Sequence, residues 1–278
     1  MDKRFADKTV IVTGASSGIG AEAARRFAAE GACVVLAARR REAMEMVAKS
    51  MDPDRRLVIP LDVTDTESAA GMLEQVQARF GRIDILVNNA GCHARGPVSE
   101  KEVPDLTQMV DVNLRAPIAL CRMVLPYLKR AGGGAIVNVA SLAGHVPFAG
   151  AAVYCATKFG LRMFSLSLAE ELEGSGISVS VVSPGPVDTE FFKGQIGDIA
   201  DFAFSSSMSS SEQVARLILA CACDGRRERA IPRFSKWIAT ACYFSPRIKR
   251  ALRPLMIRIG RRNKSRYVAS ITQARESQ

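Results

Sequence analysis

Short, nearly continuous apolar runs recur along the chain at 9–13, 33–37, 57–61, 85–88, 135–140 and 177–183, with a weaker one at 229–232. A strand with one wet face alternates apolar and polar residues. These runs barely alternate, which predicts strands covered on both faces. Longer segments with helical apolar spacing separate them, among them 21–31, 104–130 and 153–174. Strands and helices in alternation predict an α/β protein built on a doubly wound parallel sheet flanked by helices on both faces, and right-handed crossovers make this a Rossmann-type topology. The chain has no internal repeat, and its one low-complexity patch, Ser205 to Ser211, reads as loop and helix cap.

The pattern changes after Pro232, which divides the chain into a domain over 1–232 and an extension over 233–278. Ser245 and Pro246 suit the cap and first position of a helix, and Ile248, Ala251, Leu252, Leu255, Met256 and Ile259 then recur at helical spacing. Arg247, Arg250, Arg253, Arg258 and Arg261 fall largely on the other side, and Pro254 predicts a kink or a division into two helices. Just upstream, Trp237 to Phe244 is strongly apolar and contains the only tryptophan. Charge sharpens the division. The chain carries +10, but from Ala230 onward twelve Lys and Arg face one acidic residue, Glu276. Basic and apolar faces in one segment predict contact with an anionic membrane surface; a subunit contact or a flap over a pocket are the alternatives. No nucleic-acid recognition motif accompanies the charge, so no specific nucleic-acid partner is expected.

At 278 residues and 48% hydrophobic content the chain suits one domain with a large core plus an extension, which excludes wholesale disorder. No apolar run reaches the roughly 18 residues of a membrane span, and the charged first residues lead directly into the first strand, so neither span nor signal peptide is expected. Seven cysteines, odd in number and scattered through the elements, fit reduced thiols and a cytoplasmic setting. With His93 and His145 the only histidines, no metal site is expected.

Two segments carry chemistry. The first, Thr13 to Gly20, reads T-G-A-S-S-G-I-G between a strand and a helix. Gly14 permits a tight turn, Gly18 lets backbone N–H groups approach a pyrophosphate, and Gly20 allows helix to pack on strand, with Ser16, Ser17 and Ile19 beside them at the helix N-terminus. The second is Tyr154 and Lys158, one helical turn apart on one face. A phenol titrates near ~10 in water, and a neighbouring cation favours its phenolate. Cofactor choice shows at the end of the second strand, where an acidic residue would hold the ribose hydroxyl of NAD. Here stand Ala38, Arg39 and Arg40, and two guanidinium groups suit the 2′-phosphate of NADP.

Together with N-N-A-G at Asn88, Asn89, Ala90 and Gly91, with Asn113, with Ser141 thirteen positions before Tyr154, and with P-G-P-V-D-T from Pro184 to Thr189, these segments resemble the short-chain dehydrogenase/reductase family over 8–232. The resemblance implies an oxidoreductase that interconverts a carbonyl compound and an alcohol, and a homo-oligomer. It implies that Tyr154 exchanges a proton with the substrate oxygen, that Ser141 holds that oxygen, and that Lys158 lowers the phenol's pKa and bonds the nicotinamide ribose. Asn113 would hold a water that relays protons to Lys158. Asp62 and Val63 would border the adenine, and Asn89, Ala90, Gly91, Pro184, Gly185, Val187 and Thr189 the rest of the dinucleotide. Phe191, Phe192, Ile196, Ile199, Phe202 and Phe204 follow the P-G turn and suggest either a lipophilic substrate or, equally, packing onto the domain core. His93 and His145 read as filler. A non-catalytic dinucleotide-binding scaffold is the alternative, and the presence of Ser141, Tyr154 and Lys158 together argues against it.

Overall fold

In an ordinary parallel sheet every strand needs a crossover that returns the chain to the same end, and this chain supplies one each time. The computed structural model describes residues 3–193 and 201–276. Strands β1 (Thr9–Thr13), β2 (Cys33–Ala38), β3 (Arg56–Pro60), β4 (Ile85–Asn88), β5 (Gly134–Val139) and β6 (Ile177–Pro184) join β9 (Glu228–Ile231) in a seven-stranded parallel sheet of order β3-β2-β1-β4-β5-β6-β9. A separate short ladder pairs β7 (Val187–Asp188) with β8 (Ser209–Ser210). The weak run at the end of the domain is therefore the edge strand β9. Around the sheet lie α1 (Gly18–Ala29), α2 (Arg41–Ala48), α3 (Thr66–Phe80), α4 (Val103–Val110), α5 (Ala116–Arg130), α6 (Ala152–Glu171), α7 (Glu190–Lys193) and α8 (Ser211–Asp224), followed by α9 (Arg233–Phe244) and α10 (Pro246–Glu276).

The apolar runs read as two-faced because they are. Val10 and Val12 pack into one core with Phe27 of α1 and Ile218 of α8, while Ile11 between them points into the other, with Met72 of α3 and Leu120 of α5. Each such side chain, taken fully out of water, stabilises the fold by about 1.5–3 kcal/mol. Strand order reverses between β1 and β4, and the strand ends there open a crevice, the place where ligands of open α/β sheets bind.

The structure departs from the periodicity in two places. The single helix expected over 104–130 is α4 and α5 joined by a π-helical turn, Asp111–Arg115, which carries Asn113. An extra residue in that turn shifts the helical register, and such turns concentrate at functional sites. In the tail, Pro254 does not divide the helix, and α10 runs through it. A proline removes one backbone hydrogen bond, and α10 is fastened on either side of it: Leu252 packs with Val146, Ala239 and Cys242, and Asn263 Nδ2 donates to Phe204 O at 3.0 Å. The serine patch behaves as expected at its end, where Ser210 caps α8 in a reciprocal box with Gln213. Among the described residues, no helix is long and apolar enough to cross a membrane.

One ion cluster ties the tail to the sheet. Glu228 on β9 accepts from Arg162 Nε of α6 at 2.6 Å and from Lys236 Nζ of α9 at 2.5 Å, and His145 Nε2 lies 3.2 Å away. Burial works against the Glu228 charge, yet His145, Arg162 and Lys236 hold its carboxyl well below the usual carboxylate range. A depressed folded-state pKa stabilises above the unfolded value near ~4.3 and is lost as pH falls through the folded value. Glu228→Gln should therefore cost about 1–3 kcal/mol at pH 7, with the deficit closing only below the ordinary carboxylate range. Urea unfolding of both proteins across pH checks it; a deficit independent of pH would remove the charge from the explanation.

Candidate active site

The crevice is shaped first by a lack of room. Gly14 sits at φ +67, in the left-handed region, and a β-carbon on it would strike the backbone of Ala90 at 2.9 Å. One on Gly20 would press into Gly14 O and the Asn89 amide. Asn89 Nδ2 donates to Thr13 O at 3.0 Å and Gly14 O at 3.3 Å, while Thr13 Oγ1 accepts from the Asn89 and Ala90 N–H groups at 3.0 and 3.1 Å. The loops after β1 and β4 thus brace each other and leave the first turn of α1 open to the cavity. That turn has no acidic residue and no side-chain cap from Ser17. Free N–H groups at a helix start favour an anion. Beside it, Arg40 Nη2 lies 3.2 Å from both Ser16 Oγ and Ser17 Oγ. Asp62 is held by the N–H and hydroxyl of Thr64 at 3.0 and 2.8 Å, which, with Arg39 nearby, keeps its carboxyl below the usual range.

The other wall comes from β5 and α6. Ser141 lies two residues beyond β5 in extended backbone, and its Oγ accepts from Ala143 N at 3.1 Å. Two residues inside the start of α6, Tyr154 faces the same space, with Lys158 one turn on. Lys158 is buried and donates to Val139 O at 3.0 Å, with Nζ 5.8 Å from the Tyr154 ring centre. Desolvation dominates both groups. Burial raises the Tyr154 phenol to about 12 against the opposing pull of Ser141 and Arg95, and burial lowers Lys158 to about 8. The phenol thus lies above its ordinary value, with burial the largest cause.

Asn113 lies beneath this wall, fully buried. Its Oδ1 accepts from Cys92 N and its Nδ2 donates to Cys92 O, both at 2.8 Å, and to Thr157 Oγ1 at 3.3 Å. A β-carbon on Gly91 would meet Asn113 Oδ1 at 3.2 Å and Lys158 Nζ at 3.7 Å, so the glycine lets this loop lie close against both. Next along the loop, the His93 ring stacks on Tyr154 with centroids 4.1 Å apart and planes at 14°. Burial, then the charges of Arg95 and Lys158, lower His93 to about 3, so the imidazole is neutral. Its Nδ1 is 3.3 Å from Arg95 Nη1, a group that can only donate.

All the site residues expected from the sequence except Gly20 and Asn113 line one cavity of about 1300 Å³; those two shape its walls from behind. Phe191 lines it, whereas Phe204 is buried against Tyr267 of α10. Ile196 and Ile199, and the side chains of Phe192 and Phe202, lie outside the described residues. Neither histidine is mere filler: His145 belongs to the Glu228 cluster and His93 stacks on Tyr154, and only the place of His93 two residues beyond Gly91 hinted at its position. The tail, for which a flap over a pocket was one of the expected alternatives, lines the cavity with Ile238, Ala239 and Cys242 of α9 and with Arg250, Arg253, Met256 and Ile257 of α10.

Comparison with known proteins agrees with this geometry. The model of the short chain dehydrogenase family matches residues 8–198. An oxidoreductase of Staphylococcus saprophyticus, itself uncharacterized, is 39% identical over 186 residues, 66% of this chain and 76% of that one. Meso-2,3-butanediol dehydrogenase of Serratia marcescens is 38% identical over 198 residues, 71% of this chain and 78% of its own length. The crystal structure of a short chain dehydrogenase from Bacillus anthracis superposes with a TM-score of 0.72 at 28% identity, over 83% of this chain and 96% of that one. Sequence, sheet order and crevice together place the chain in the short-chain dehydrogenase/reductase family, whose members are oxidoreductases that bind a nicotinamide dinucleotide.

Proposed function

We propose that this protein reduces the carbonyl group of a lipophilic substrate with NADPH, and catalyses the reverse oxidation of the alcohol. The observation that carries the reading is the convergence of Ser141, Tyr154 and Lys158 on the cavity that also holds the Arg40, Ser16 and Ser17 cluster. The glycine turn, the open first turn of α1 and Thr189 would hold the dinucleotide, with Arg39 and Arg40 at its 2′-phosphate and Ala38 in place of a carboxylate. When bound, the nicotinamide supplies or accepts the hydride. A phenol near 12 keeps its proton at neutral pH, which suits Tyr154 to act as the acid toward the oxygen of a carbonyl being reduced. Ser141 Oγ orients that oxygen, and Lys158, when protonated, stabilises the phenolate left behind. Asn113 and His93 act on positions: one locks the Cys92 backbone to α6, the other packs the Tyr154 ring in place. Val146, Phe148, Ile238 and Met256 on the cavity wall favour an apolar substrate.

For the extension, the reading is peripheral contact with an anionic bilayer. Phe234, Trp237 and Phe244 recur along α9 at helical spacing, and they are 83%, 70% and 80% exposed. Aromatic rings beside a basic helix suit the headgroup boundary.

Three outcomes follow. Tyr154→Phe should lower the rate of carbonyl reduction ~10²–10⁴-fold while leaving NADPH affinity nearly intact, and the wild-type rate should fall above about pH 8 as Lys158 loses its proton. Near-normal turnover by the phenylalanine variant, followed at the nicotinamide absorbance, would sink the chemistry. Wild type should bind NADPH more tightly than NADH, and replacing Arg39 and Arg40 with Ser should narrow the gap by roughly 1.5–3 kcal/mol; equal affinities in calorimetry would refute the cofactor reading. Finally, the full chain should sediment with anionic liposomes in a salt-sensitive manner, lost on deletion of 245–278, and protein left in the supernatant at low salt would exclude the membrane contact.

A further inference from the structure

We infer that Arg250 and Arg253 form a binding site for an anionic group on the substrate, so that the cavity takes an elongated carbonyl compound whose apolar body carries a carboxylate or phosphate. This rests on the proposed carbonyl chemistry and extends it to a substrate class. The two arginines stand one turn apart on α10 and share with Met256 and Ile257 the face that lines the cavity. Among the described residues neither guanidinium has an ion-pair or hydrogen-bond partner. Among the described residues Arg247 and Arg258 are likewise unpartnered but do not line the cavity, and three other cations of the tail are committed. Lys236 is held by Glu228, and Arg261 and Lys264 by Asp201.

The cavity's carboxylates are also committed. Asp62 is bonded to Thr64, and Asp201 carries the two α10 cations. The wall beside the arginines is apolar, made by Val146, Phe148, Ile238 and Ala239, with Leu252 packed behind. Two unneutralised guanidinium groups next to an apolar wall select a ligand with the same division: a hydrocarbon stretch and an anion that accepts from both. Their placement is fixed by the rest of the helix. Tyr267 Oη donates to Asp188 Oδ1 at 2.6 Å, and Asn263 to Phe204 O, which holds α10 across the segment that follows β6. The same phosphate chemistry could come instead from the dinucleotide, so the test separates the two sources.

The experiment uses the full chain with NADPH and two probes that share one ketone, 9-oxodecanoate and its methyl ester. In wild type the acid-to-ester ratio of kcat/KM should be roughly tenfold or more, and it should fall toward one in Arg250→Gln/Arg253→Gln, with Arg→Lys at both sites retaining part of it. A ratio near one in wild type, or one unchanged in the glutamine variant, overturns the inference. So does an equal loss on acid and ester together with a weakened NADPH affinity, since the arginines would then read the cofactor. A second arm needs no turnover: calorimetry should show decanoate binding at least about tenfold more tightly than decanamide to wild type, and equally to the double variant. If that difference appears but neither ketone is reduced, the carbonyl chemistry fails and the anion site stands. If decanoate and decanamide bind wild type alike, the anion site fails whatever the enzyme reduces.

Discussion

Three backbone segments meet at Gly14, Gly20 and Asn89 with no space for a β-carbon between them, and the crevice depends on that closeness. Thr13 Oγ1 and the Asn89 carboxamide convert the contact into hydrogen bonds, so the loop after β1 cannot move without the loop after β4. The brace sits where the strand order reverses, and there it keeps the first turn of α1 facing the cavity. A side chain at either glycine would shift α1 outward and separate the two walls together.

Behind the crevice, polar groups are buried at a cost that their partners offset. Asn88 Nδ2 donates to Asn138 Oδ1 at 2.8 Å, Asn138 Nδ2 to Ser165 Oγ at 2.9 Å, and Ser165 Oγ to Leu161 O at 2.6 Å, a chain from β4 through β5 into α6. Left unpaired, each would cost about 1–3 kcal/mol, so the chain fixes the register of α6 and with it Tyr154 and Lys158. Desolvation then sets the ionisation of the site. It keeps the phenol protonated, His93 neutral and Lys158 near the point of losing its charge, so the crevice at neutral pH holds one clear proton donor beside a marginal cation.

Two of the carboxylates that join the tail to the domain take up its cations. Glu228 gathers α6, α9 and the loop after β5 onto the edge strand, and Asp201 receives Arg261 and Lys264 from α10. Both consume part of the basic surplus internally. The predicted apolar stripe of α10 is split in consequence: Leu252 and Met256 turn inward, while Ile248, Leu255 and Ile259 stay exposed. Arginines expected on the opposite face share the cavity wall with Met256, so the helix has no single apolar side.

The strands, their parallel pairing and the glycine turn were legible in the sequence, because a strand buried on both faces must be apolar at every position and a turn pressed against a helix must be glycine. Tyr154 and Lys158 were legible for a similar reason, since helical spacing alone sets them on one face. Strand ends were less so: β5 begins at Gly134 because it pairs there with Ile177, a partner distant in the chain. The π-helical turn at Asn113 was not drawn from the apolar spacing, although Pro117, which cannot donate to Asn113 O four residues back, marks the place; the pairing of that carboxamide with Cys92 and Thr157 shows only in the fold. Ionisation of the phenol was decided by burial, a property of the packed walls and not of residue spacing. Most of all, an amphipathic basic helix satisfies its apolar residues equally against lipid, a second subunit or its own domain, and local sequence contains nothing that chooses. Only the folded arrangement of Asp201, Asp188 and Phe204 against α10, with Glu228 holding α9 before it, placed that helix over the cavity, because those partners come together only when the sheet is built.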